Sequence, residues 1–287
     1  MKYAELYQQG VALLQTAGIE EAKLDARLLL EKICDTDRNT LLSHGDMEVT
    51  KEQETSFLQW VEQRAKHIPL QHITGEQEFM GLCFLVNEHV LIPRQDTEIL
   101  VEEAMQHLHD GMRILDMCTG SGCILLSLLK YSNDCTGLGV DISGEALQIA
   151  EENARLLGIP AEFKESNLFE RVEGRYDLLV SNPPYIEHDV IPTLMEEVRE
   201  HDPMLALDGG TDGLDFYRRI ISEAPEYLFR GGKILFEIGN EQAEAVSGLL
   251  AENGYTEIEV YKDYAGHDRV VSATCIKIRE AKKTENE

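Results

Sequence analysis

ILDMCTGSGC, residues 114–123, predicts a buried strand that ends in a tight Gly-x-Gly turn, and the apolar run at 124–129 predicts that a helix follows. Gly120 and Gly122 permit positive φ and let the backbone approach a bound group closely, while the first N–H groups of the helix lack intrahelical acceptors. Glycine in such a turn also serves packing alone. The turn is therefore a candidate ligand site at the start of an α/β domain.

An acidic residue, Asp141, closes the next predicted strand. An acid about twenty residues after the turn can accept hydrogen bonds from both hydroxyls of a ribose. The dinucleotide fingerprint Gly-x-Gly-x-x-Gly is incomplete, because Leu125 stands three residues after Gly122. Helix capping or a solvated strand end is the alternative role for Asp116 and Asp141. The spacing Asp-x-x-Thr-Gly-Ser-Gly at residues 116–122 resembles instead the cofactor loop of class I S-adenosylmethionine-dependent methyltransferases.

Strands and helices alternate from residue 96 onward, which is the pattern of a doubly wound α/β sheet. We expect seven strands, at residues 113–117, 137–141, 161–164, 177–181, 233–238, 257–261 and 270–278. No helix is expected between the last two, so they should form a C-terminal antiparallel hairpin. The predicted fold class is α/β, a class I methyltransferase sheet with this hairpin at its end.

The first 75 residues predict a small helical domain that carries no chemistry of its own. Apolar residues recur at helical spacing in 3–16 and 19–34, and a third helix should run from Thr50, which has capping-box spacing to Gln53, towards His67. Residues 76–95 predict a β-hairpin linker. We expect a substrate-recognition domain at 1–75, the linker at 76–95, an S-adenosylmethionine-dependent methyltransferase domain at 96–280 and a flexible tail at 281–287.

Charge and composition narrow the classes of function. The 287 residues include 26 Lys and Arg against 53 Asp and Glu, a formal net charge of −27. Nucleic-acid binders neutralise phosphates with clustered Lys and Arg, so direct nucleic-acid binding is disfavoured. The six cysteines form no Cys-x-x-Cys pair, and no His cluster has metal-ligand spacing, so no metal is expected.

The sequence also supports expectations about localisation and assembly. We expect the cysteines to be reduced thiols in a cytoplasmic protein. The N-terminus has no apolar signal-peptide core, and no apolar run is long enough to span a bilayer, so neither export nor a membrane is expected. We expect a monomer.

Asn182-Pro183-Pro184-Tyr185 follows the predicted strand at 177–181 and is the motif most directly tied to chemistry. The two prolines remove two backbone donors and end the strand, which leaves nearby carbonyls without ladder partners. The planar NH2 of a carboxamide, adenine or guanine has two N–H bonds that the Asn182 side-chain oxygen and the Pro183 carbonyl can accept together. Tyr185 offers a flat face for stacking. The alternative is that Pro-Pro only shapes a surface turn.

Three further stretches make the chain resemble the peptide-chain-release-factor glutamine N5-methyltransferases of the PrmC/HemK family over nearly its whole length. They are PLQHITG at 69–75, VLIPRQDTE at 90–98 and LDGGTDGL at 207–214. The resemblance implies S-adenosylmethionine as methyl donor and the glutamine of the Gly-Gly-Gln loop of class I release factors as acceptor. It also implies that the helical domain docks the factor.

The motifs and the resemblance together assign candidate residues. Three residues are catalytic candidates. Asn182 would polarise the acceptor amide, the backbone carbonyl of Pro183 would accept a hydrogen bond from it, and Tyr185 would stack against it. The substrate-contacting candidates are Asn182, Pro183, Pro184, Tyr185 and Arg94; a structural ion pair is the alternative for Arg94. The donor-binding candidates are Asp116, Cys118, Thr119, Gly120, Ser121, Gly122, Asp141, Asn167, Leu168 and Asn182.

The chain departs from the family pattern at two places. Gln95-Asp96 replaces Pro-Glu, which keeps an acid but loosens the turn before the helix. Asn167-Leu168 stands where the family often has Asp followed by an aromatic residue, so the adenine contact there is expected to be weaker or made differently.

Two other functions stay open. An amino-methyltransferase for adenine or guanine of nucleic acid has the same site chemistry and a different docking surface, and steep salt-dependent binding to nucleic acid would favour it. A non-catalytic binding module with a methyltransferase-like fold is the second, and the intact Asn182 motif argues against it.

Overall fold

The computed structural model describes residues 1–277, so the tail predicted at 281–287 and the end of the domain predicted at 96–280 lie outside the described residues. The helices are α1 (Tyr3–Thr16), α2 (Ala22–Cys34), α3 (Arg38–Ser43), α4 (Lys51–Arg64), α5 (Leu70–Thr74), α6 (Gln95–Met105), α7 (Cys123–Tyr131), α8 (Gly144–Leu157), α9 (Glu196–His201), α10 (Met204–Leu207), α11 (Asp215–Glu223) and α12 (Ala243–Glu252). The strands are β1 (Glu76–Phe79), β2 (Leu82–Leu85), β3 (Arg113–Met117), β4 (Thr136–Asp141), β5 (Glu162–Glu165), β6 (Tyr176–Ser181), β7 (Leu228–Glu237), β8 (Thr256–Lys262) and β9 (Asp268–Thr274).

The chain divides into two compact units. The first, the helical unit, contains residues 1–76 together with 195–201, and the second, the sheet unit, contains residues 77–194 and 202 onward. The grouping of residues 195–201 with the helices of the N-terminal part was not predicted from the sequence.

The helical unit has its own apolar core. Leu6 and Leu14 of α1, Leu29 of α2 and Phe57 of α4 are fully buried in it. A Cβ added at Gly10 would lie 2.6 Å from the Phe57 ring, so the glycine allows α1 and α4 to pack closely. The core of this unit is therefore formed by helix residues that recur at i, i+4 and i+8 and share one buried face.

Most of the helix predictions for this unit are confirmed. The helix at 3–16 has the predicted bounds, and the second helix begins at Ala22 instead of residue 19. The third helix follows Thr50, whose predicted capping box with Gln53 is present, and this helix ends at Arg64. Two helices, α3 and α5, were not predicted. With six and five residues they are too short for an apolar period to be recognised.

A buried ion cluster joins residues 195–201 to this unit. Arg64 is only 6% exposed, and its Nε donates to Asp25 Oδ2 at 2.7 Å while its Nη2 donates to Glu197 Oε1 at 2.5 Å. A buried guanidinium needs such partners, because removing one leaves an uncompensated charge in the interior. The cluster therefore fixes α9 against the helices of the first unit.

The sheet unit contains one seven-stranded mixed sheet with the order β5-β4-β3-β6-β7-β9-β8. The five strands from β5 to β7 pair in parallel, and β9 pairs antiparallel with both β7 and β8. This confirms the predicted doubly wound sheet and its C-terminal antiparallel hairpin. The chain leaves β3 towards β4 on one side and returns as β6 on the other, so a crevice is expected at the carboxyl ends of β3 and β6.

Both faces of the sheet are buried. Successive residues of β6 pack into two different apolar clusters. Leu179 belongs to the cluster on one face of the sheet, and Leu178 and Val180 belong to the cluster on the other face. A central strand covered by helices on both faces has a nearly continuous apolar sequence, which is why 177–181 was recognisable.

Strand ends differ from the sequence predictions. The strand predicted at 233–238 begins earlier, at Leu228, and its register is irregular between Leu228 and Lys233, where Gly231 has φ of +86°. The last strand, predicted at 270–278, runs instead from Asp268 to Thr274, and residue 278 lies outside the described residues. The short hairpin of β1 and β2 predicted within the linker is present as a two-stranded sheet.

Candidate active site

The glycine turn and the Asn-Pro-Pro-Tyr motif leave the sheet side by side. Met117, the last residue of β3, pairs in register with Ser181, the last residue of β6, and the Ser181 hydroxyl donates to the Met117 carbonyl at 2.6 Å. Because the strands are parallel neighbours, the residues after them begin at the same edge of the sheet. The fold therefore brings together two motifs that are about 60 residues apart in the sequence.

A cleft of about 430 Å³ lies at this edge, and it is formed by the sheet unit alone. Ten of the residues predicted for the site line it, namely Arg94, Cys118, Thr119, Gly120, Ser121, Asp141, Asn167, Leu168, Asn182 and Pro184. Four others are not among its lining residues, namely Asp116, Gly122, Pro183 and Tyr185. The cleft is of the size that encloses a cofactor-sized molecule.

Asp116 lies beneath the glycine turn and is fully buried. Its Oδ2 accepts a hydrogen bond from the Thr119 hydroxyl at 2.5 Å. Burial raises the pKa of the Asp116 carboxyl to about 7, although hydrogen bonds from Thr119 and from the N–H of Leu125 oppose the shift. This geometry makes Asp116 a support of the turn, whereas the sequence had made it a donor-binding candidate.

The turn itself depends on two glycines with positive φ. Gly120 has φ of +54°, and a Cβ added there would meet no protein atom within 4 Å. Gly122 has φ of +78°, and its Cβ would meet Ala150, Leu126 and Phe163 at 3.2–3.3 Å. Gly120 therefore leaves space on the side of the cleft, and Gly122 allows the following helix to pack against the sheet.

Asp141 lines the cleft and is held by backbone donors. Its Oδ2 accepts from the N–H of Gly120 at 2.9 Å, and its Oδ1 accepts from the N–H of Ser143 at 3.0 Å. Burial raises its pKa, and these N–H groups oppose that effect. Each carboxylate oxygen has lone pairs beyond the one it uses, so hydroxyl groups of a ligand can still donate to it.

Asn167 and Leu168 also line the cleft, but the Asn167 side chain has partners within the protein. Its Nδ2 donates to Glu170 Oε1 at 2.9 Å, and its Oδ1 accepts from Arg219 Nη2 at 3.0 Å. Leu168 has φ of +53° and is buried. Phe216, another lining residue, supplies an aromatic surface in a cleft whose Asn167-Leu168 segment lacks one.

Asn182 lines the cleft at the start of the Asn-Pro-Pro-Tyr motif. Its Nδ2 donates to the Thr97 hydroxyl at 3.4 Å, and no described residue donates a hydrogen bond to its Oδ1. No described donor bonds to the carbonyl of Pro183 either. The two oxygens that the sequence nominated as acceptors are therefore not engaged by the protein's own donors.

Tyr185 is half-buried against the apolar core, and its hydroxyl donates to Glu237 Oε1 at 3.4 Å. Its backbone carbonyl accepts from the side chain of Gln242 at 3.0 Å. Burial and the neighbouring Glu237 raise the pKa of the Tyr185 hydroxyl. The residue anchors the end of the motif in the core, and the stacking role stays a prediction.

Arg94 lines the cleft and forms an ion pair within the sheet unit. Its Nη2 donates to Asp202 Oδ2 at 2.7 Å, and Asp202 is nearly fully buried while Arg94 is partly exposed. The structural alternative considered for Arg94 is therefore realised in this structure, and a contact with the substrate stays a prediction.

Sequence reasoning missed two buried polar residues behind the motif, Thr97 and Glu237. Thr97 lies within the VLIPRQDTE stretch that contributed to the resemblance, but nothing in that stretch indicated a contact with Asn182. Glu237, the last residue of β7, was treated as part of an apolar strand, although an acid at the end of a buried strand is unusual enough to be a signal.

Among residues 1–277 no group of three or more His, Cys, Asp or Glu side chains has an arrangement that could hold a metal ion. None of the helices in this part of the chain is both long and apolar enough to cross a bilayer.

The chain matches two protein-family models, the PrmC N-terminal domain at residues 5–75 and the methyltransferase small domain at residues 95–211. A release factor glutamine methyltransferase of Agrobacterium fabrum is 40% identical over 90% of this chain and 92% of its own length. One of Geobacter sulfurreducens is 43% identical over 90% of this chain and 91% of its own length. The fold is similar to that of a methyltransferase of Pyrococcus furiosus, with a TM-score of 0.55, 17% identity, and coverage of 79% of this chain and all of that one.

Proposed function

Because the chain belongs to the family of release factor glutamine methyltransferases, we propose that it methylates the side-chain nitrogen of a glutamine in a release factor. The acceptor is the glutamine of the Gly-Gly-Gln loop of class I peptide chain release factors, and the methyl donor is S-adenosylmethionine. The consequence of this reaction is a change in translation termination. The protein acts as a cytoplasmic monomer, with no nucleic acid and no membrane required.

One observation carries the proposal, namely the state of the Asn182 side chain. Its N–H end is bound by Thr97, so its oxygen end is available at the cleft, beside the glycine turn. A carboxamide nitrogen is a poor nucleophile, because its lone pair is delocalised into its carbonyl. Two acceptors, Asn182 Oδ1 and the Pro183 carbonyl, draw electron density towards that nitrogen and fix the direction of its lone pair.

The residues around these acceptors have supporting roles. The Pro183-Pro184 pair keeps backbone donors away from the two oxygens, because proline has no N–H. Tyr185 supplies a flat face for the planar amide of the acceptor glutamine. The amide nitrogen can lose its proton after the transfer, so the reaction requires no strong base. Exclusion of water and alignment are then the main tasks of the site.

The lining of the cleft suits S-adenosylmethionine. The Asp141 carboxylate matches ribose hydroxyls, Leu168 and Phe216 offer apolar surface to an adenine, and the open side of Gly120 leaves space for the amino-acid part. When bound, this group supplies a methyl on a sulfonium, which makes the methyl carbon electrophilic. Thr119, Ser121 and Cys118 shape the turn next to it, and Asp116 and Gly122 support the turn from below.

The helical unit is the docking module for the body of the release factor. Its residues 1–75 contain no cleft-lining residue, and the family model that matches residues 5–75 is specific to this kind of N-terminal domain. The negative net charge of −27 favours a protein partner over the phosphate backbone of a nucleic acid.

The test incubates the purified protein and methyl-labelled S-adenosylmethionine with class I release factors, either wild type or with the loop glutamine changed to alanine. We expect label on the wild-type factor and none on the variant. Equal label on both would contradict the glutamine assignment. Label on an added adenine- or guanine-containing nucleic acid instead would favour a nucleic-acid amino-methyltransferase, and no transfer to any acceptor would favour a binding module.

A further inference from the structure

The LDGGTDGL stretch at residues 207–214 has no task in the proposed reaction, and in the structure it lies beside the end of the acceptor motif. Ile186, the residue after the motif, pairs with it: the N–H of Ile186 donates to the Leu207 carbonyl at 3.0 Å, and its carbonyl accepts from the N–H of Gly209 at 2.8 Å. A Cβ added at Gly209 would lie 2.7 Å from the Cα of Tyr185. Glycine at this position therefore lets the stretch approach the motif closely.

The side chain of Gln242, the residue before α12, connects the stretch to the motif. Its Nε2 donates to the Tyr185 carbonyl at 3.0 Å and to the Gly213 carbonyl at 3.2 Å. Its Oε1 accepts from the N–H of Gly239 at 2.9 Å. A backbone N–H only donates and a carbonyl only accepts, so these three partners fix which end of the amide is nitrogen. Both hydrogens of the amide are used on carbonyls.

Gly213 makes room for this arrangement. It has φ of +69°, and a Cβ added there would clash with the Tyr185 carbonyl oxygen and would lie 2.6 Å from Gln242 Nε2. A larger residue would therefore separate the two carbonyls that one side chain now bridges. Two glycines of the stretch thus serve the contact with Tyr185.

From these contacts, and resting on the proposed function, we propose that Gln242 is a positioning residue that fixes the direction of the Pro183 carbonyl, the second acceptor for the glutamine amide. Gln242 does not line the cleft and does not contact the reacting atoms. Its effect on the reaction passes through the backbone of the motif, from Tyr185 to Pro183.

The argument depends on anchoring a short, stiff segment at both ends. Ser181 holds one end, because it pairs with Met117 of β3 and with Phe236 of β7. The ring of proline fixes φ, so the Pro-Pro pair that follows has few free torsions. Gln242 holds the other end at the carbonyl of Tyr185. With both ends held, the Pro183 peptide has little freedom to rotate.

Removal of the Gln242 amide loosens the second anchor. The Tyr185 carbonyl loses its donor, and the Pro183 carbonyl then samples a wider range of directions. The pairing of Ile186 with residues 207–209 remains. We therefore expect a slower reaction instead of a complete loss, because misplacement of a positioned group reduces the rate in proportion to the time spent out of line.

Two substitutions at Gln242 and one control test this role. Gln242→Met keeps the length of the side chain and removes all three hydrogen bonds. Gln242→Glu, ionised at about pH 8, keeps an acceptor for Gly239 and has no hydrogen for the two carbonyls. Asn253→Ala is the matched control, because Asn253 Nδ2 also donates from a side-chain amide to a backbone carbonyl, that of Leu249, at the other end of α12.

For methyl transfer to the release factor we expect roughly a tenfold lower kcat in Q242M and in Q242E, and a kcat within about threefold of wild type in N253A. The dissociation constant and the number of binding sites for S-adenosylmethionine, measured by calorimetry, should change little in all three. A wild-type kcat in Q242E would overturn the proposal, since that variant cannot donate to the Tyr185 carbonyl. Equal losses in Q242M and N253A, or a loss explained by fewer donor-binding sites, would also overturn it, because a merely structural role predicts those results.

A measurement without substrate separates this inference from the proposed function. Tyr185-Ile186 is the one place in the sequence where Tyr precedes Ile, so ¹³C at Tyr carbonyls and ¹⁵N at Ile amides give one correlated signal, that of the Tyr185 carbonyl. We expect its ¹³C shift to change in Q242M and Q242E and to stay in N253A. An unchanged shift in Q242M would overturn the inference even if the release factor is methylated. The expected shifts would support the anchoring of the motif even if the release factor is not, and the proposed function alone would then fail.

Discussion

Two halves of the candidate site, each including residues that support the cleft without lining it, are held in place by different kinds of interaction. The turn half consists of residues 116–122 with Asp141, and the acceptor half consists of Asn182–Tyr185. In the turn half Thr119 bonds to Asp116, three residues away, and Asp141 accepts from the N–H of Ser143, two residues away, while one bond, from the N–H of Gly120 to Asp141, spans 21 residues. Backbone N–H groups are its main donors. Local sequence therefore specifies most of its geometry.

The acceptor half is held by side chains that are distant in the sequence. Asn182 bonds to Thr97 across 85 residues, and Tyr185 bonds to Glu237 across 52. These contacts exist only once α6 and β7 have packed beside β6. The geometry of the reacting half is thus a property of the whole sheet unit, and substitutions there should affect turnover more than donor binding.

Asn182→Ala should give the largest effect and is the sharpest test of this contrast. Removal of the side-chain oxygen takes away one of two acceptors for the glutamine amide. Losing one preorganised polar group of this kind typically lowers kcat by about 10²–10³. We expect a loss of that size in kcat for the release factor, with the dissociation constant for S-adenosylmethionine within about threefold of wild type, measured by steady-state kinetics and calorimetry.

Asn167→Ala is the matched control, because it removes the same type of side chain from the same cleft. Its effect should appear in KM for the methyl donor. A loss of kcat in N167A comparable with that in N182A would mean that either asparagine of the cleft matters equally, and the special role of the acceptor half would fail.

The contrast between the halves also explains what the sequence predicted. The glycine turn, Asp141 and the Asn-Pro-Pro-Tyr motif were found because their residue types carry local signals at strand ends. The doubly wound class of the sheet followed from the alternation of strands and helices. Thr97 and Glu237 were missed because a buried polar contact between distant segments has no periodicity and no fixed spacing.

The sequence also did not show which side chains at the end of a strand are buried on the side away from the cleft. Asp116 and Tyr185 belong to the motifs, and both were predicted from the sequence to contact a ligand directly. The structure gives Asp116 a place beneath the turn and ties Tyr185 to Glu237. Alternation along an extended segment determines which side chain faces a ligand, and a residue type alone does not report it.

The second prediction concerns pH and compares one buried carboxyl from each half. Burial raises the pKa of Asp116 and of Glu237 to about 7, from ordinary values of 3.8 and 4.5. Between about pH 4 and pH 7 the folded protein keeps these protons, whereas the unfolded chain has lost them. Stability should therefore fall as the pH rises through this range, by on the order of 3 kcal/mol for each group, and level off above it.

Urea denaturation at several pH values between 4.5 and 8 measures this dependence. Asp116→Asn and Glu237→Gln should each remove about half of the slope that these two carboxyls cause, and the double variant should remove both parts. A slope that is unchanged in both single variants would show that neither carboxyl is protonated in the folded protein at pH 6.

The third prediction concerns Asp141 in the turn half. Asp141→Ala removes the carboxylate proposed to accept from the ribose and also removes the acceptor for the N–H groups of Gly120 and Ser143. We expect binding of S-adenosylmethionine to weaken by roughly 10- to 100-fold, since hydrogen bonds to a charged group contribute about 1.5–3 kcal/mol. Calorimetry measures this loss, and kcat at saturating donor should fall much less.

Asp141→Asn separates the charge from the shape. It keeps one oxygen for the backbone donors, so it should bind the donor more tightly than D141A and less tightly than wild type. If all three proteins bound S-adenosylmethionine equally, Asp141 would have no contact with the donor and would serve only to cap the turn.

The smallest effects are expected from Gly120→Ala and Gly122→Ala, which compare the two sides of the turn. Both glycines have positive φ, so each substitution should cost about 1 kcal/mol of strain. At Gly122 the new methyl group also crowds Ala150, Leu126 and Phe163, so G122A should lower the free energy of unfolding by about 1 kcal/mol more than G120A.

Donor binding should show the reverse order. The methyl group of G120A has no protein atom within 4 Å and belongs to a residue that lines the cleft, so it takes space from the donor, whereas Gly122 does not line the cleft. Urea denaturation and calorimetry on the same two variants therefore give opposite rankings if the turn has a ligand side and a packing side. The same ranking in both measurements would mean that the two glycines serve only the backbone conformation.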